Sequence, residues 1–314
     1  MSRPRIGITL GDPGGVGPEI VAKALAAPGA LPGADYVLFA EEGDVRREAS
    51  RLGLTLGPPL SFRAPQGARP SGRRGAPDKD NGLASFLAFE AAVAAARAGE
   101  IRALATGPVS KTSWALAGVP WRGHTEYLAA SYPDAIMTFW SESLTVALLS
   151  HHLPLREALA RVTRPGLLRF LGALRRGVAA VSDVPREFLV AGLNPHAGED
   201  GILGREEADE IAPAIRDARA AGMPIAGPFP PDVVFRSALG HPEKIVVALY
   251  HDQGLIPFKL AAFATGVNAT LGMPFVRTSP DHGTAFDIAG DDRADPGSMI
   301  EAIRMAARSA LGPL

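Results

Sequence analysis

Three of the chain's seven histidines, His152, His196 and His251, stand at or just past the ends of short apolar runs, in "LTVALLS" then "HHLP", "EFLVAGL" then "NPHAGEDG", and "KIVVALY" then "HDQG". Neutral imidazoles so placed can hold one divalent cation and leave coordination positions open for substrate oxygens. Cysteine is absent, which excludes disulfides and thiolate metal sites and leaves histidine and carboxylate to hold any transition metal. For any single one of these histidines a hydrogen-bonded structural role is the simpler account. The trio, in a chain without cysteine, favours a metal. His151 is set aside, because along a continuing strand it would face away from His152, and His241 of "LGHPEK" reads as a loop residue. There is no H-E-x-x-H, which argues against a zincin protease.

Charge that can hold an anion comes next. Lys111, Lys259 and Arg277 lie in or near Gly/Pro-rich segments, and Lys259 follows the run that presents His251. A guanidinium fork or an ammonium point charge suits a phosphate or carboxylate, with surface ion pairing an equal competitor. "GDPGGVGPE" can offer backbone N–H groups at a helix start. It is not a dinucleotide fingerprint, since Ile20 occupies the position of the third glycine.

The elements that must position these residues are legible as alternation. "RIGITL", "DYVLFA", "IRALAT", "IMTFW", "LTVALLS", "EFLVAGL", "KIVVALY" and "VNATLG" read as short strands, separated in many places by Ala-rich stretches with helical spacing. The pattern predicts an α/β fold with a mostly parallel sheet. "NGLASFLAFEAAVAAARAGE" predicts a helix stopped at Gly99, and "GREEADEIAPAIRDARAAG" a second, acidic at its start and basic near its end. The stretch 57–77 reads as a loop with solvated arginines. Five predicted strands empty into polar or Gly-rich segments ("GDPGGVGPE", "GPVSK", "HHLP", "NPHAGEDG", "HDQG"), the place where open α/β sheets bind ligands.

At 314 residues the chain is long enough for two α/β lobes. Its net charge of −1 gives no global attraction to nucleic acid or anionic lipid. The apolar segment near the amino end is cut short by Asp12 and Pro13, too soon for a signal-peptide core, and no run approaches a membrane span. A cytoplasmic location is the expectation.

Several long strings carry a resemblance: "GITLGDPGGVGPE", "TGPVSK", "GHTEYLA", "LNPHAGEDG", "GPFPPD", "YHDQGLIPFK" and "GVNATLGMPFVRTSPDHGTAFDIAG". In order and spacing they resemble the 4-hydroxythreonine-4-phosphate dehydrogenase family of vitamin B6 synthesis, over residues 6 to about 290. The resemblance implies a two-domain α/β/α fold similar to isocitrate and isopropylmalate dehydrogenases, with lobes at 1–125 plus 281–314 and at 126–280 and the active site in the cleft. It implies NAD- or NADP-dependent oxidation of a secondary alcohol β to a carboxylate, followed by decarboxylation, on a small phosphorylated substrate. The divalent metal (zinc, magnesium or cobalt) falls on His152, His196 and His251, the trio already chosen from the residues. Substrate contacts fall on His124, Thr125, Lys259, Asn268 and Arg277, and a further active-site acid on Asp232. The segment His282–Gly283–Thr284, with Asp287, resembles the cofactor loop of the β-decarboxylating dehydrogenases. The family is a homodimer with the metal site completed across the interface, so one histidine is expected to serve the neighbouring chain.

Lys259 and Asp232 are the candidates for proton transfer, and Asp252 and Gln253 either support the His251 ring or cap the following turn. Two rivals stand beside this reading. One keeps the chemistry and changes the substrate to a phosphorylated sugar acid, threonate or erythronate 4-phosphate. The other is a non-redox phosphate acyltransferase or phosphate binder, which leaves the three histidines idle.

Overall fold

The computed structural model describes residues 3–57, 59–182 and 186–311. Pro58 of the expected loop and residues 312–314 of the expected first lobe lie outside them. The chain divides into two compact units, the first comprising residues 1–133, 267–269 and 273–314, the second residues 134–266 and 270–272.

In chain order the first unit contains β1 (Arg5–Thr9), α1 (Gly17–Ala26), β2 (Asp35–Leu38), α2 (Glu42–Arg51), β3 (Leu60–Phe62), α3 (Lys79–Arg97), β4 (Ala103–Thr106), α4 (Lys111–Leu116) and α5 (His124–Ser131). The second contains β5 (Ile136–Trp140), β6 (Thr145–Leu148), α6 (Leu155–Leu159), α7 (Arg164–Ala179), β7 (Glu187–Ala191), α8 (Ala212–Ala220), β8 (Ile225–Phe229), α9 (Val234–Ala238), β9 (Lys244–Ala248) and α10 (His251–Ala262). β10 (Val267–Leu271) divides between the units; β11 (Val276–Pro280) and α11 (Gly297–Leu311) return to the first. β11 therefore lies outside the 126–280 lobe expected from sequence. It pairs in parallel with β4, Val276 beside Ala103, and that ladder sets its membership.

The first unit's strands run β3-β2-β1-β4-β11, parallel throughout, with Gly7 of β1 between Val37 and Leu104. β3 lies inside the stretch read as loop. α3 forms for local reasons. The Asp78 side chain caps its amino end by accepting from the N–H groups of Asp80 and Asn81. Gly99 at φ +72° ends it, with Gly99 N–H donating to Ala96 O and Glu100 N–H to Ala95 O. Its buried stripe, Phe89, Ala92, Val93 and Ala96, packs with Val37, Phe39, Leu104 and Trp114.

In the second unit β5 and β6 form an antiparallel hairpin, and β6-β9-β7-β8 follow in parallel register. Its core gathers Phe139, Val146, Leu189, Val246, Leu255 and Phe258. Burying a side chain such as Phe258 contributes about 1.5–3 kcal/mol. α10 comes down on β6 at Gly254, where a Cβ would stand 2.6 Å from Leu148.

The carboxyl ends of β1 and β4 meet backbone to backbone. A Cβ on Gly107 would lie 2.2 Å from Leu10 O, and one on Gly11 2.2 Å from Pro108 O. Gly107→Ala is therefore expected to destabilise the protein by about 1–3 kcal/mol, whereas Gly33→Ala, which faces open space, leaves the urea unfolding midpoint in place. Equal midpoints for the two variants would refute the close approach.

Candidate active site

Parallel pairing of β6, β9, β7 and β8 brings their carboxyl ends to one edge of the second unit's sheet. Beyond those ends come His152 after β6, His251 after β9, His196 after β7 and Asp232 after β8. His251 is the first residue of α10. Its Nδ1 is 2.7 Å from Asp252 Oδ1. The carboxylate accepts, so Nδ1 carries the proton and Nε2 keeps its lone pair for a ligand. Gln253, buried behind it, accepts from Leu249 N–H and donates to Gly192 O, both at 2.7 Å. It thereby ties the start of α10 to the end of β7; Asp252 makes the contact expected of a support for the His251 ring, whereas the bonds of Gln253 go to backbone and not to that ring.

The His152 and His251 rings lie 5.7 Å apart between centroids. They line a cavity of about 270 Å³ together with Ser150, His151, Tyr250 and Asp252. His151 belongs to this cavity, against the expectation that it faces away. β6 ends at Leu148, so strand alternation no longer governs residues 151 and 152, and their rings meet edge to face, 5.3 Å apart. His196 stands elsewhere. Its side chain is 72% exposed, with Glu199 Oε2 3.5 Å from its Nδ1. Among the described residues, no group of three or more His, Asp or Glu side chains is gathered where one ion would bind.

His152 (φ +47°) and His196 (φ +55°) both occupy the left-handed backbone region, rare for residues with a Cβ. Such strain of about 1–3 kcal/mol per residue persists where the surroundings impose it, and it gathers at functional sites. Of the expected proton-transfer pair, Asp232 is exposed in the turn after β8. Lys259 is half-buried on α10, about 12 Å along the axis from His251 at 1.5 Å per residue, with Nζ 5.9 Å from the Phe263 ring centroid.

The expected anion-side residues His124, Thr125, Asn268 and Arg277 belong to the first unit. Arg277, on β11, is buried; its Nε donates to Thr106 Oγ1 at 2.9 Å and its Nη2 to His124 Nδ1 at 2.7 Å. A guanidinium only donates, so His124 Nδ1 must accept and the imidazole proton sits on Nε2. Burial chiefly, and the Arg277 charge next, hold the His124 pKa well below the ordinary histidine value. Burial also pulls Arg277 down to about 9, against the opposing pull of Glu126, so it remains a cation at neutral pH. The His124 ring lies 4.3 Å from Phe89 and 5.6 Å from Trp114, centroid to centroid. Its Nε2 is buried without a partner, and so is Asn268 Oδ1. A buried donor and a buried acceptor left open are what a bound ligand would satisfy.

The cofactor-loop candidate follows β11 in the same unit. Val16 N–H donates to Thr284 O at 2.9 Å, and Asp281 N–H to Ser298 Oγ at 3.2 Å. His282 Nδ1 donates to Gly283 O at 2.9 Å. Gly283 itself has ordinary φ and open space where its Cβ would be, so nothing within the chain requires glycine there. Asp287 is exposed in the short 3₁₀ turn Phe286–Ile288. Sequence reasoning missed the clamp on this loop. Glu48, 5% exposed, pairs with Arg51 and Arg74, and Arg51 reaches Gly290 O at 3.3 Å and Asp292 Oδ1 at 2.5 Å. Arg74, read as solvated, is exposed as a residue, and its guanidinium pairs with the buried Glu48 carboxylate.

Comparison with known proteins gives a consistent result. The family model described as pyridoxal phosphate biosynthetic protein PdxA matches residues 54–306. A protein of Desulforapulum autotrophicum named 4-hydroxythreonine-4-phosphate dehydrogenase is 41% identical, the match covering 98% of this chain and 96% of that one. The crystal structure of 4-hydroxythreonine-4-phosphate dehydrogenase from Klebsiella pneumoniae is 37% identical, with a TM-score of 0.83 over 98% of this chain and 100% of that one. A terephthalate 1,2-cis-dihydrodiol dehydrogenase from Burkholderia xenovorans is 29% identical at a TM-score of 0.70, covering 98% of each chain. A β-decarboxylating dehydrogenase from Thermococcus kodakarensis, 16% identical at a TM-score of 0.50 over 95% of this chain and 80% of that one, shares the fold.

His124 makes stability depend on pH. Its folded pKa lies below the unfolded value of about 6.5, so in that window the unfolded chain binds the extra proton and stability falls as pH falls. Between pH 7 and 5 the urea midpoint is expected to drop, and His124→Gln to flatten that drop; equal slopes in the two proteins would refute a buried neutral His124.

Proposed function

The chain belongs to the PdxA family, and from that premise we propose that it oxidises 4-phosphohydroxy-L-threonine at its C3 hydroxyl with NAD or NADP, in pyridoxal 5′-phosphate biosynthesis. It is a dehydrogenase. The hydride passes to the nicotinamide, the hydroxyl proton leaves, and the β-keto acid loses CO2 to give 3-amino-2-oxopropyl phosphate once a proton returns to the carbon. The observation that carries the reading is the meeting of His152 and His251 beside a cavity at the ends of two parallel strands.

The donor set fits a divalent cation: two imidazoles, one with its free nitrogen fixed by Asp252. His196, from a second copy of this chain, would complete the set. Two features support a dimer. α10 turns Ile256, Leu260 and Phe263 outward, one helix face with Leu260 85% exposed, and the turn that carries His196 continues into exposed Ile202 and Leu203. A cation held by these histidines would supply Lewis acidity toward the substrate's hydroxyl and ketone oxygens. Zinc and cobalt suit imidazole donors, and magnesium, which prefers oxygen ligands, would depend more on the substrate's own oxygens.

The chain's own residues do the rest. His124 donates through Nε2–H to the substrate's anionic end, Arg277 fixes that tautomer and contributes charge, Thr125 adds a hydroxyl, and Asn268 Oδ1 accepts a substrate donor. Lys259 and Asp232 transfer protons. Gly283 gives the cofactor close access between His282 and Thr284, with Asp287 beside it.

A second substrate reading has support in the dihydrodiol dehydrogenase relative, whose own name gives it a vicinal diol as substrate. Threonate or erythronate 4-phosphate is the corresponding candidate, and kcat/KM on the amino acid against the sugar acid distinguishes them.

Two outcomes are expected. NADH formation from 4-phosphohydroxy-L-threonine should vanish on chelation and return with zinc, magnesium or cobalt, and His196→Ala should abolish it while circular dichroism stays unchanged; full turnover by that variant with metal controlled would overturn the assignment. Gly283→Ala should leave the melting temperature in place and weaken NADH binding about tenfold, roughly 1.4 kcal/mol, read by NADH fluorescence. Unchanged affinity would remove the cofactor from this loop.

A further inference from the structure

Among the described residues, the turn that carries His196 holds the longest run of positive φ. His196, Ala197, Gly198, Glu199 and Asp200 follow one another at φ +55°, +54°, +85°, +44° and +53°. Residues other than glycine visit this region singly, because a left-handed run costs roughly 1–2 kcal/mol per residue. The turn is closed by Ala197 N–H to Asn194 O, Ile202 N–H to Glu199 O and Gly198 O, and Leu203 N–H to Gly198 O. Strained backbone of this kind persists where its surroundings impose it.

Glu207 stands there. It is 5% exposed and opens a π-helical turn, Glu207–Ile211, ahead of α8; such bulges recur at functional sites. Its Oε1 accepts from the backbone N–H groups of Leu193 and Asn194, both at 2.7 Å, and its Oε2 from Asn194 Nδ2 at 2.9 Å. Asn194 Nδ2 also reaches Glu206 Oε2 at 2.7 Å. A Cβ on Gly198 would stand 2.8 Å from Glu207 Oε2 and one on Gly192 3.2 Å from Oε1. Both glycines thus let the carboxylate sit against the base of the turn.

We infer that Glu207 is a positioning residue that holds the left-handed turn in the conformation presenting His196 as a ligand. The inference rests on the metal reading proposed above. Its chemistry is specific to a carboxylate. Every partner is a donor, so both oxygens must accept. Glutamine, of the same shape, turns its NH2 either on the Asn194 amide donors or on the two backbone N–H groups, and donor faces donor in each orientation.

The test uses the purified full-length protein and measures zinc binding by calorimetric or chelator competition. Glu207→Gln should weaken zinc affinity about 10- to 100-fold, the range for residues that support metal ligands. Asn194→Ala, which removes one partner and leaves Glu207 in place, should weaken it in the same direction and serves where Glu207→Gln does not fold. The His196 imidazole resonances should move in both variants, and those of His124 in the other unit should stay. Wild-type zinc affinity in folded Glu207→Gln, or equal movement of the His124 signals, overturns the inference. Absence of zinc binding by the wild-type protein sinks the metal reading itself, a different result.

Discussion

Parallel strand pairing is the constraint on which the candidate chemistry depends. Once β6, β9, β7 and β8 run side by side in one direction, the segments leaving them cannot be distributed over the surface. They must begin at one edge of the sheet. His152, His251, His196 and Asp232, distant in sequence, are neighbours by topology before any side chain is placed. The antiparallel β5 stands outside this set and contributes no predicted site residue. The first unit repeats the logic with β1, β4 and β11, which release "GDPGG", "GPVSK" and the 282–290 loop.

Local devices then turn shared location into orientation. On β9 the device is helical. α10 begins at once, so the sequence order His, Asp, Gln, Gly becomes ring, ring partner, clamp and contact with the sheet. On β6 and β7 the device is strain, with left-handed backbone at His152 and His196. Strained residues need a rigid mount, and the buried hydrogen bonds of Gln253 to Gly192 and of Glu207 to Leu193 and Asn194 supply one at the end of β7. In the first unit the device is a buried pair in which Arg277 dictates the tautomer of His124.

Much of this was legible in the sequence because it depends on pattern. Apolar runs such as "KIVVAL" have few alternatives to a buried parallel strand, and polar groups released from their ends have few alternatives to the sheet edge. What escaped was set by tertiary partners. β11, "VRTSP", carries no apolar signature, yet Arg277 is buried within it because Thr106 and His124 receive its donors. β8, "IAGPF", holds Gly and Pro at positions that argue against a strand. β3 has only three residues. His151 was set aside by extending strand alternation three residues beyond the last ladder pair, at Leu148. Arg74 was read as solvated because Glu48, its partner, lies 26 residues away. The five-residue left-handed turn has Asn, Gly and Asp as signals of a turn, and none of them specifies its hand over such a length.

The glycines separate two kinds of constraint that a sequence presents identically. At Gly107, Gly192 and Gly254 a Cβ would strike neighbouring atoms of the same chain, so packing alone accounts for the residue. At Gly283 neither collision nor positive φ applies, and helix or strand propensity has nothing to act on in a loop. A glycine that the fold does not require, next to a backbone carbonyl engaged by Val16, is free to serve the proposed cofactor, which would need the backbone bare. This is why the failed dinucleotide fingerprint at Ile20 does not argue against a nucleotide. A fingerprint describes one way of bringing backbone close to a phosphate, and under the proposed reading the loop after β11 would be another, held by Glu48, Arg51 and Arg74 rather than by a helix start.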